Sequence, residues 1–414
     1  MKKVVLDVIR PSWYDGFVCT GPSCSDNCCH TWPVETDRAH YDLYRARREP
    51  AFAALCERYL HPKDSGATDA AFAGIGEDAA GRCGFQDADG GCRIYRQVGP
   101  HALCVTCATY PRRKMCFHPG RYELSLSMSC EEAARLCVLT PEEITFRAEK
   151  LPFDENDPLL KLPITGAGPK GKAVPPPEWG DALRAACLAL ARERAFSIAR
   201  RLTAVQLLLG QIDRLCAAGA QTQIPLAIER FLQAARGGGV EAFERQLAYD
   251  RAAHLAALAV SLGHLLGGRP CDLTERLRAL LGGAADAEPA GQAAQEALLS
   301  LLQKGKPLSE KAEQWLENYF VNYLFSAMFP FLYAAAGLSF ERHGWLLLEQ
   351  YALLRVLTVV GEQAGGGTPE EIMTKAVVHT ARLAQHADLR ADVTRLATAF
   401  QIRGTAHMLY LLRA

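Results

Sequence analysis

Twelve of the fifteen cysteines in this 414-residue chain fall at or before Cys137, most of them a few residues apart. One group runs Cys19, Cys24, Cys28, Cys29. A second runs Cys83, Cys92, Cys104, Cys107, and Cys130 follows in Ser127-Met128-Ser129-Cys130. Several thiolates brought in on short loops are the ligands a soft metal selects. Structural zinc and iron–sulfur clusters draw on the same ligand type, so spacing leaves both open. A disulfide framework needs an oxidising compartment. The start of the chain shows no apolar export core, because Lys2 and Lys3 are soon followed by Asp7, Arg10 and Pro11. A cytoplasmic protein with thiolate ligands is therefore the expectation. The expected metal ligands are Cys19, Cys24, Cys28, Cys29, Cys83, Cys92, Cys107 and Cys130. These exceed the four that one zinc or one cluster needs, so either there are two sites or some thiols do something other than ligate. Cys56, Cys116 and Cys137 lie outside the dense motifs and are expected to pack as small hydrophobes.

The elements that must hold these residues divide the chain in three. Residues 1–150 read as a loop-rich, cysteine-rich metal-binding domain, with strands expected only at Val4–Ile9 and Tyr122–Met128. Residues 151–180 read as a Pro/Gly linker that includes Pro175, Pro176 and Pro177. Residues 181–414 are rich in good helix formers. Apolar residues recur there at helical spacing, as in Ile198, Leu202, Val205, Leu208, Leu209 and Ile212. Glycine breaks fall at Gly237–Gly239, Gly282–Gly291 and Gly365–Gly367. No βαβ alternation is seen. The fold class is mainly α: the metal-binding domain followed by an all-α domain of roughly eight helices.

Lysine plus arginine equals aspartate plus glutamate at 46 each. With no net charge, binding to nucleic acid or to an anionic membrane is not expected. A membrane span needs roughly 18–20 apolar residues. The best stretches, Leu255–Leu266 and Trp345–Val360, are interrupted by His264, Glu349, Gln350 and Arg355.

The pattern as a whole resembles a known family. Phe17, Cys19, Cys24, Cys28-Cys29 and Trp32 are followed by Cys83 and by Cys92-Arg93-Ile94-Tyr95. Then come Thr106-Cys107-Ala108-Thr109-Tyr110-Pro111-Arg112 and Leu126-Ser127-Met128-Ser129-Cys130-Glu131-Glu132. This is similar to the flagellin lysine N-methylase family, itself within a broader group of cysteine-rich zinc- or iron-chelating proteins. Asp37, Tyr41 and Tyr44 fit it as well. So do Leu316–Phe325, Phe329-Pro330-Phe331, Gln350–Arg355, and Ala381-Arg382 with His386. Two departures stand out. Glu131 occupies the place of a proline, and Cys104 is an extra cysteine, either an added ligand or a replacement for a small polar residue.

The resemblance implies S-adenosylmethionine-dependent methylation of flagellin lysines, with a bound iron–sulfur cluster, 4Fe–4S in type. A non-catalytic metal-binding or redox-sensing protein, or a radical enzyme of other specificity, are the alternatives. Lysine methylation needs a neutral amine, yet lysine has an unperturbed pKa of about 10.4. The site must desolvate the amine or supply a base. Tyr319, Asn322 and His386 are the expected catalytic residues. Asn318 with Asn322, Tyr319 with Tyr323, and Arg382 with His386 each share a helix face. Arg112 and Arg135, beside cysteine loops, are the expected cofactor-binding residues. No Gly-rich nucleotide loop of the Rossmann type is present, since Gly74-Ile75-Gly76 is only a fragment. No radical-type Cys-x-x-x-Cys-x-x-Cys run is present either. S-adenosylmethionine is therefore expected on the cysteine domain, chelated by an open iron.

Overall fold

The computed structural model describes residues 2–30, 34–165, 176–268, 270–283, 291–332, 338–386, 398 and 404–413, without the side chains of residues 385 and 386. Trp32 and two prolines of the expected linker, Pro169 and Pro175, lie outside that set. The chain forms two compact units. The first is Met1–Leu136 with Thr145–Ala173, and the second is Cys137–Ile144 with Val174–Ala414.

The first unit is built on sheets rather than loops alone. Its elements are β1 (Lys3–Pro11), β2 (Val34–Thr36), α1 (Arg38–Arg45), α2 (Pro50–Tyr59), β3 (Leu60–Pro62), β4 (Ala73–Ile75), α3 (Arg93–Gln97) and α4 (Val105–Thr109). Then follow β5 (Arg112–His118), β6 (Arg121–Leu126), α5 (Glu131–Leu139, which runs on past the end of the first segment), β7 (Phe146–Asp154), α6 (Pro158–Lys161) and β8 (Ile164–Thr165). Five strands form one sheet in the order β7-β1-β6-β5-β8, and three short ones form another, β2-β4-β3. The Val/Ile-rich β1 pairs along its whole length with β7, from Lys3 opposite Asp154 to Pro11 opposite Phe146. Strands beyond the two expected are thus present. Residues 151–165, assigned above to the linker, carry the end of β7, α6 and β8. Pro152 sits in β7 because β7 is an edge strand, where a missing N–H is tolerated. One core lies on the large sheet around Val8, Leu124 and Leu159. The other gathers Tyr44, Phe52, Phe85 and Ile94 with the small sheet.

The second unit is helical: α7 (Gly180–Ala191), α8 (Ile198–Ala217), α9 (Ile224–Ala234), α10 (Val240–Gln246), α11 (Arg251–Gly267), α12 (Asp272–Leu281), α13 (Gln292–Lys304), α14 (Glu310–Ser326), α15 (Phe340–Gln363), α16 (Pro369–His386) and α17 (Thr405–Met408). The molecule is mainly α on this account. Helix starts are fixed by side-chain caps. Ser197, Asp250, Ser309 and Ser339 each accept a backbone N–H from three residues on. The apolar stripe of α8 from Ile198 to Ile212 is fully buried. Gly238, at φ 86°, kinks the chain between α9 and α10.

Helix α15 is the hub. It is buried almost throughout from His343 to Gly361. A Cβ at Gly344 would meet Gln206 Oε1 of α8 at 1.8 Å, and one at Gly361 would meet Ile372 of α16 at 2.5 Å. Glycine at these two places is what lets the three helices close on one another. By length and composition α15 could cross a membrane, contrary to the expectation above, but its apolar stretch is buried within the protein. Glu349 in its middle is held by His264 Nδ1 at 3.1 Å and accepts from Ser261 Oγ at 3.3 Å, both on α11.

Candidate functional site

Three segments of the first unit converge to bring thiols together. The loop before β2 carries Cys28 and Cys29, the turns before α3 carry Cys83 and Cys92, and α4 begins at Cys104 and contains Cys107. Backbone bonds stitch the loops. Cys83 N–H donates to Cys29 O at 2.8 Å, and Cys92 bridges Gln86. Asn27 Oδ1 accepts from the Cys29 N–H and from Gln86 Nε2, each at 3.0 Å. Cys28 and Cys29 are in hydrogen-bond contact, as are Cys104 and Cys107. Cys29 also lies within electrostatic reach of Cys83 and Cys92. Cys83 reaches Cys92, Cys104 and Cys28.

These thiols perturb one another. The hydrogen bond from Cys28, then burial, pushes Cys29 far above the ordinary thiol range. The Cys104–Cys107 bond splits that pair, holding Cys104 below the usual value and Cys107 well above it. Burial lifts Cys83 to about 11. Crowded thiols that resist ionising together are what a bound cation relieves, because a coordinating thiol is deprotonated outright. Soft sulfur donors drawn from loops suit an iron–sulfur cluster or zinc. Among the described residues, no three His, Cys, Asp or Glu side chains close on a point that would hold a single metal ion.

Of the eight expected ligands, Cys28, Cys29, Cys83, Cys92 and Cys107 share this cluster. Cys130 adjoins it, within reach of Cys28 and Cys19, with its thiol raised to about 11 by burial. Cys19 is exposed, and its sulfur accepts the Gly21 N–H at 3.4 Å. Cys24 turns elsewhere: its thiol donates to Glu131 Oε2 at 3.4 Å, and burial pushes it to about 12. Cys104, left open by the sequence, is brought into the cluster. The signal was its three-residue spacing from Cys107 at the start of a helical turn.

Glu131 gains a role from replacing a proline. At the first turn of α5 it accepts from Ser25 N at 3.1 Å, Asp26 N at 3.2 Å and Ser25 Oγ at 2.5 Å, which fixes the loop between Cys24 and Cys28. Cys56, Cys116 and Cys137 are buried, each with its sulfur on a backbone carbonyl.

Tyr44 locks the segment before α4. Fully buried, it donates to Ala102 O at 2.5 Å and accepts the Cys104 N–H at 3.1 Å. Tyr44→Phe strands both backbone groups. We expect a loss of about 1–3 kcal/mol in a urea titration. An unchanged midpoint would show that water replaces the phenol.

The other expected residues are placed as follows. Arg112, at the start of β5, hydrogen-bonds Tyr14 and lies over the Phe17 ring at 5.5 Å. Arg135 is half exposed and pairs with Glu132 on its own helix at 2.7 Å. Tyr319 is buried in the second unit and donates to Gln350 Oε1 at 2.7 Å. Burial, with Tyr323 beside it, holds the phenol well above its ordinary pKa, the opposite of what a base needs. Asn322 is fully buried, and neither amide atom has a partner among the described residues. Asn318, one turn earlier, donates to Val138 O and Thr140 O at 3.0 and 2.9 Å. The side chain of His386 lies outside the described residues.

A unit of clustered thiols on a sheet, in one chain with a helical unit of this size, defines a thiol-rich two-unit protein. The FliB lysine N-methylase C-terminal domain matches residues 184–412, more than half of the chain, and the chain belongs to that family. It is similar to the flagellar biosynthetic protein FliU of Salmonella muenchen, 27% identical over 169 residues, 39% of this chain and 92% of that one. It is also similar to the lysine-N-methylase of Salmonella choleraesuis strain SC-B67, 27% identical over 148 residues, 34% of each chain. The lysine-N-methylase of Salmonella typhimurium is 26% identical over the same span and share. The matches thus cover about a third of the length of these two methylases. No solved structure matches.

Proposed function

We propose that this chain is a cytoplasmic protein-lysine N-methyltransferase that modifies flagellin with S-adenosylmethionine, and that its first unit holds a 4Fe–4S cluster. The family match over residues 184–412 carries the reading. The names of the relatives, a flagellar biosynthetic protein and two lysine-N-methylases, support the reaction and its setting. The thiol cluster supports the metal. The four ligands of the cluster would be drawn from Cys28, Cys29, Cys83, Cys92, Cys104 and Cys107, with Cys19 and Cys130 beside them. Bound there, it would supply a one-electron redox centre or, at an iron left without a cysteine ligand, a Lewis-acid site.

In the transfer, a neutral lysine nitrogen attacks the sulfonium methyl. A C–N bond forms, the C–S pair returns to sulfur as a thioether, and the resulting ammonium gives up a proton. Positioning supplies much of the rate. Of the expected catalytic residues, Tyr319 is held protonated by burial and donates to Gln350, which disfavours it as the base. Asn322 has an amide with no partner among the described residues, and His386 is the third expected residue.

The test has two readouts. Flagellin co-expressed with this protein should gain whole methyl masses on lysines by mass spectrometry, and none without it. The absence of such increments overturns the methylase reading and, if iron is present, favours a metal-binding or sensing protein. Anaerobically purified protein should contain iron and acid-labile sulfide. Cys83→Ser and Cys107→Ser should lose most of both, while Cys187→Ser, buried in α7, should keep them. Zinc without sulfide overturns the cluster and leaves the methylase reading standing.

A further inference from the structure

The first unit contains a cavity of about 300 Å³ that the thiol cluster does not use. That is near the lower end of the range for small-molecule pockets, roughly 300–1,000 Å³, so it suits one end of a ligand rather than a whole nucleotide. Part of its wall is apolar, with Leu124, Leu151 and Phe153 on the large sheet and Leu159 on α6. The rest is polar, from Arg10, Tyr14, Thr109, Arg112 and Asp157. Ala108 and Thr109 of α4 complete it, directly after Cys107 in the same helix.

The polar groups differ in how far they are already committed. Arg10 pairs with Glu149 at 2.6 Å and with Asp15. Arg112 has no carboxylate partner among the described residues; it holds the Tyr14 hydroxyl and faces the Phe17 ring. Burial raises the Tyr14 pKa against the lowering charges of Arg112 and Arg10, so its O–H remains available to donate. Asp157 spends Oδ1 on the Leu159 N–H at 2.9 Å. Its other oxygen has no partner among the described residues. A guanidinium with no carboxylate partner among the described residues, a phenol and a carboxylate beside apolar side chains form a set that pairs with a carboxylate beside an ammonium. A lone lysine ammonium would meet two guanidinium groups and be repelled.

We propose that this cavity binds the amino-acid end of S-adenosylmethionine, with its carboxylate on Arg112 and Tyr14, its ammonium on Asp157 and its methylene chain against Leu124 and Leu151. The inference rests on the methyltransferase reading. It replaces chelation of that carboxylate by an open iron with a guanidinium pair, a charge-assisted and readily bidentate contact. The wall helix α4 then joins the ligand's site to the thiols of Cys104 and Cys107.

The test is calorimetric titration of the full chain with S-adenosylmethionine and, separately, with methylthioadenosine, which lacks the amino-acid end. Arg112→Ala and Asp157→Asn should each weaken S-adenosylmethionine on the order of 10- to 100-fold and leave methylthioadenosine unchanged. Asparagine keeps the cap on Leu159, so Asp157→Asn serves if Arg112→Ala misfolds. Wild-type affinity for S-adenosylmethionine in both variants overturns the site while leaving the methylase reading intact. So does an equal loss for both ligands. No binding by the wild-type chain overturns the site as well, and flagellin methylation then decides separately whether the enzyme reading survives.

Discussion

Replacing Glu317 with alanine is expected to cost about 3–5 kcal/mol of folding stability, among the largest effects of any single change in this chain. Glu317 is 3% exposed on α14, and it takes Arg201 of α8 at 2.6 Å and Arg194 at 2.8 Å. Burial alone would raise its pKa, but the hydrogen bonds and charges of the two arginines outweigh burial and hold it below the usual value. The carboxylate is therefore ionised and paired. Arg194 is largely exposed and can turn to water once the acid is gone. Arg201, 4% exposed, cannot. Among the described residues it keeps Phe196 O at 2.8 Å, in the connection from α7 to α8, and Ala191 O at 3.3 Å, at the end of α7. A buried guanidinium without its carboxylate is the source of the cost. Domains of this kind are stable by only about 5–15 kcal/mol, so the loss is a large share of the margin. The urea midpoint of the helical circular-dichroism signal measures it. Glu317→Leu combined with Arg201→Met should recover most of the loss, since removing both charges removes the penalty. A single variant within 1 kcal/mol of wild type would show that Arg201 reaches water by rearrangement.

The convergence of thiols was legible because it rests on local spacing. Cys28-Cys29 and Cys104 with Cys107 are each brought close by one turn of chain, and only Cys83 and Cys92 had to be carried in from further off. The helical unit was legible for the same reason, since the stripe from Ile198 to Ile212 repeats within one helix. β1 and β6 fall where strands were expected, but the rest of the two sheets was not legible. Strand β5 opens with three cationic residues, β7 contains Pro152, and β2, β3 and β4 are three residues each. None shows the alternation that marks a strand by itself; pairing of Lys3–Pro11 with residues about 140 positions away makes β7 one. The cavity was invisible for the same physical reason, because Arg10, Arg112 and Asp157 meet only through that sheet. Four-residue spacing placed Tyr319 with Tyr323 on one face but could not say which way the face turned. It turns inward, and that raises the phenol's pKa instead of lowering it.

Acid should destabilise the helical unit well before its carboxylates titrate. His343 is fully buried, and desolvation lowers its pKa to about 4 although Nδ1 meets Pro330 O. His254, 2% exposed and beside Arg413, is likewise lowered to about 4. In the unfolded chain each titrates near 6.5. Between those values the unfolded state binds the protons and the native state does not, so stability falls as pH falls. The two groups add nothing to the slope above about pH 7.5, and by pH 5 each should have cost about 2 kcal/mol. Carboxylates held low by partners, such as Glu317 and Asp37, lose their contribution only below the ordinary carboxylate range, so the two windows separate. Urea midpoints taken from pH 7.5 down to 5 should therefore decline steeply. His343→Asn keeps a donor of similar reach for Pro330 O and cannot be protonated. It should remove about half of the decline, leaving the share that belongs to His254. If the slope is unchanged in that variant, His343 takes up its proton in the folded state, and the burial around α15 is looser than the packing of Phe329 against its ring at 5.2 Å requires.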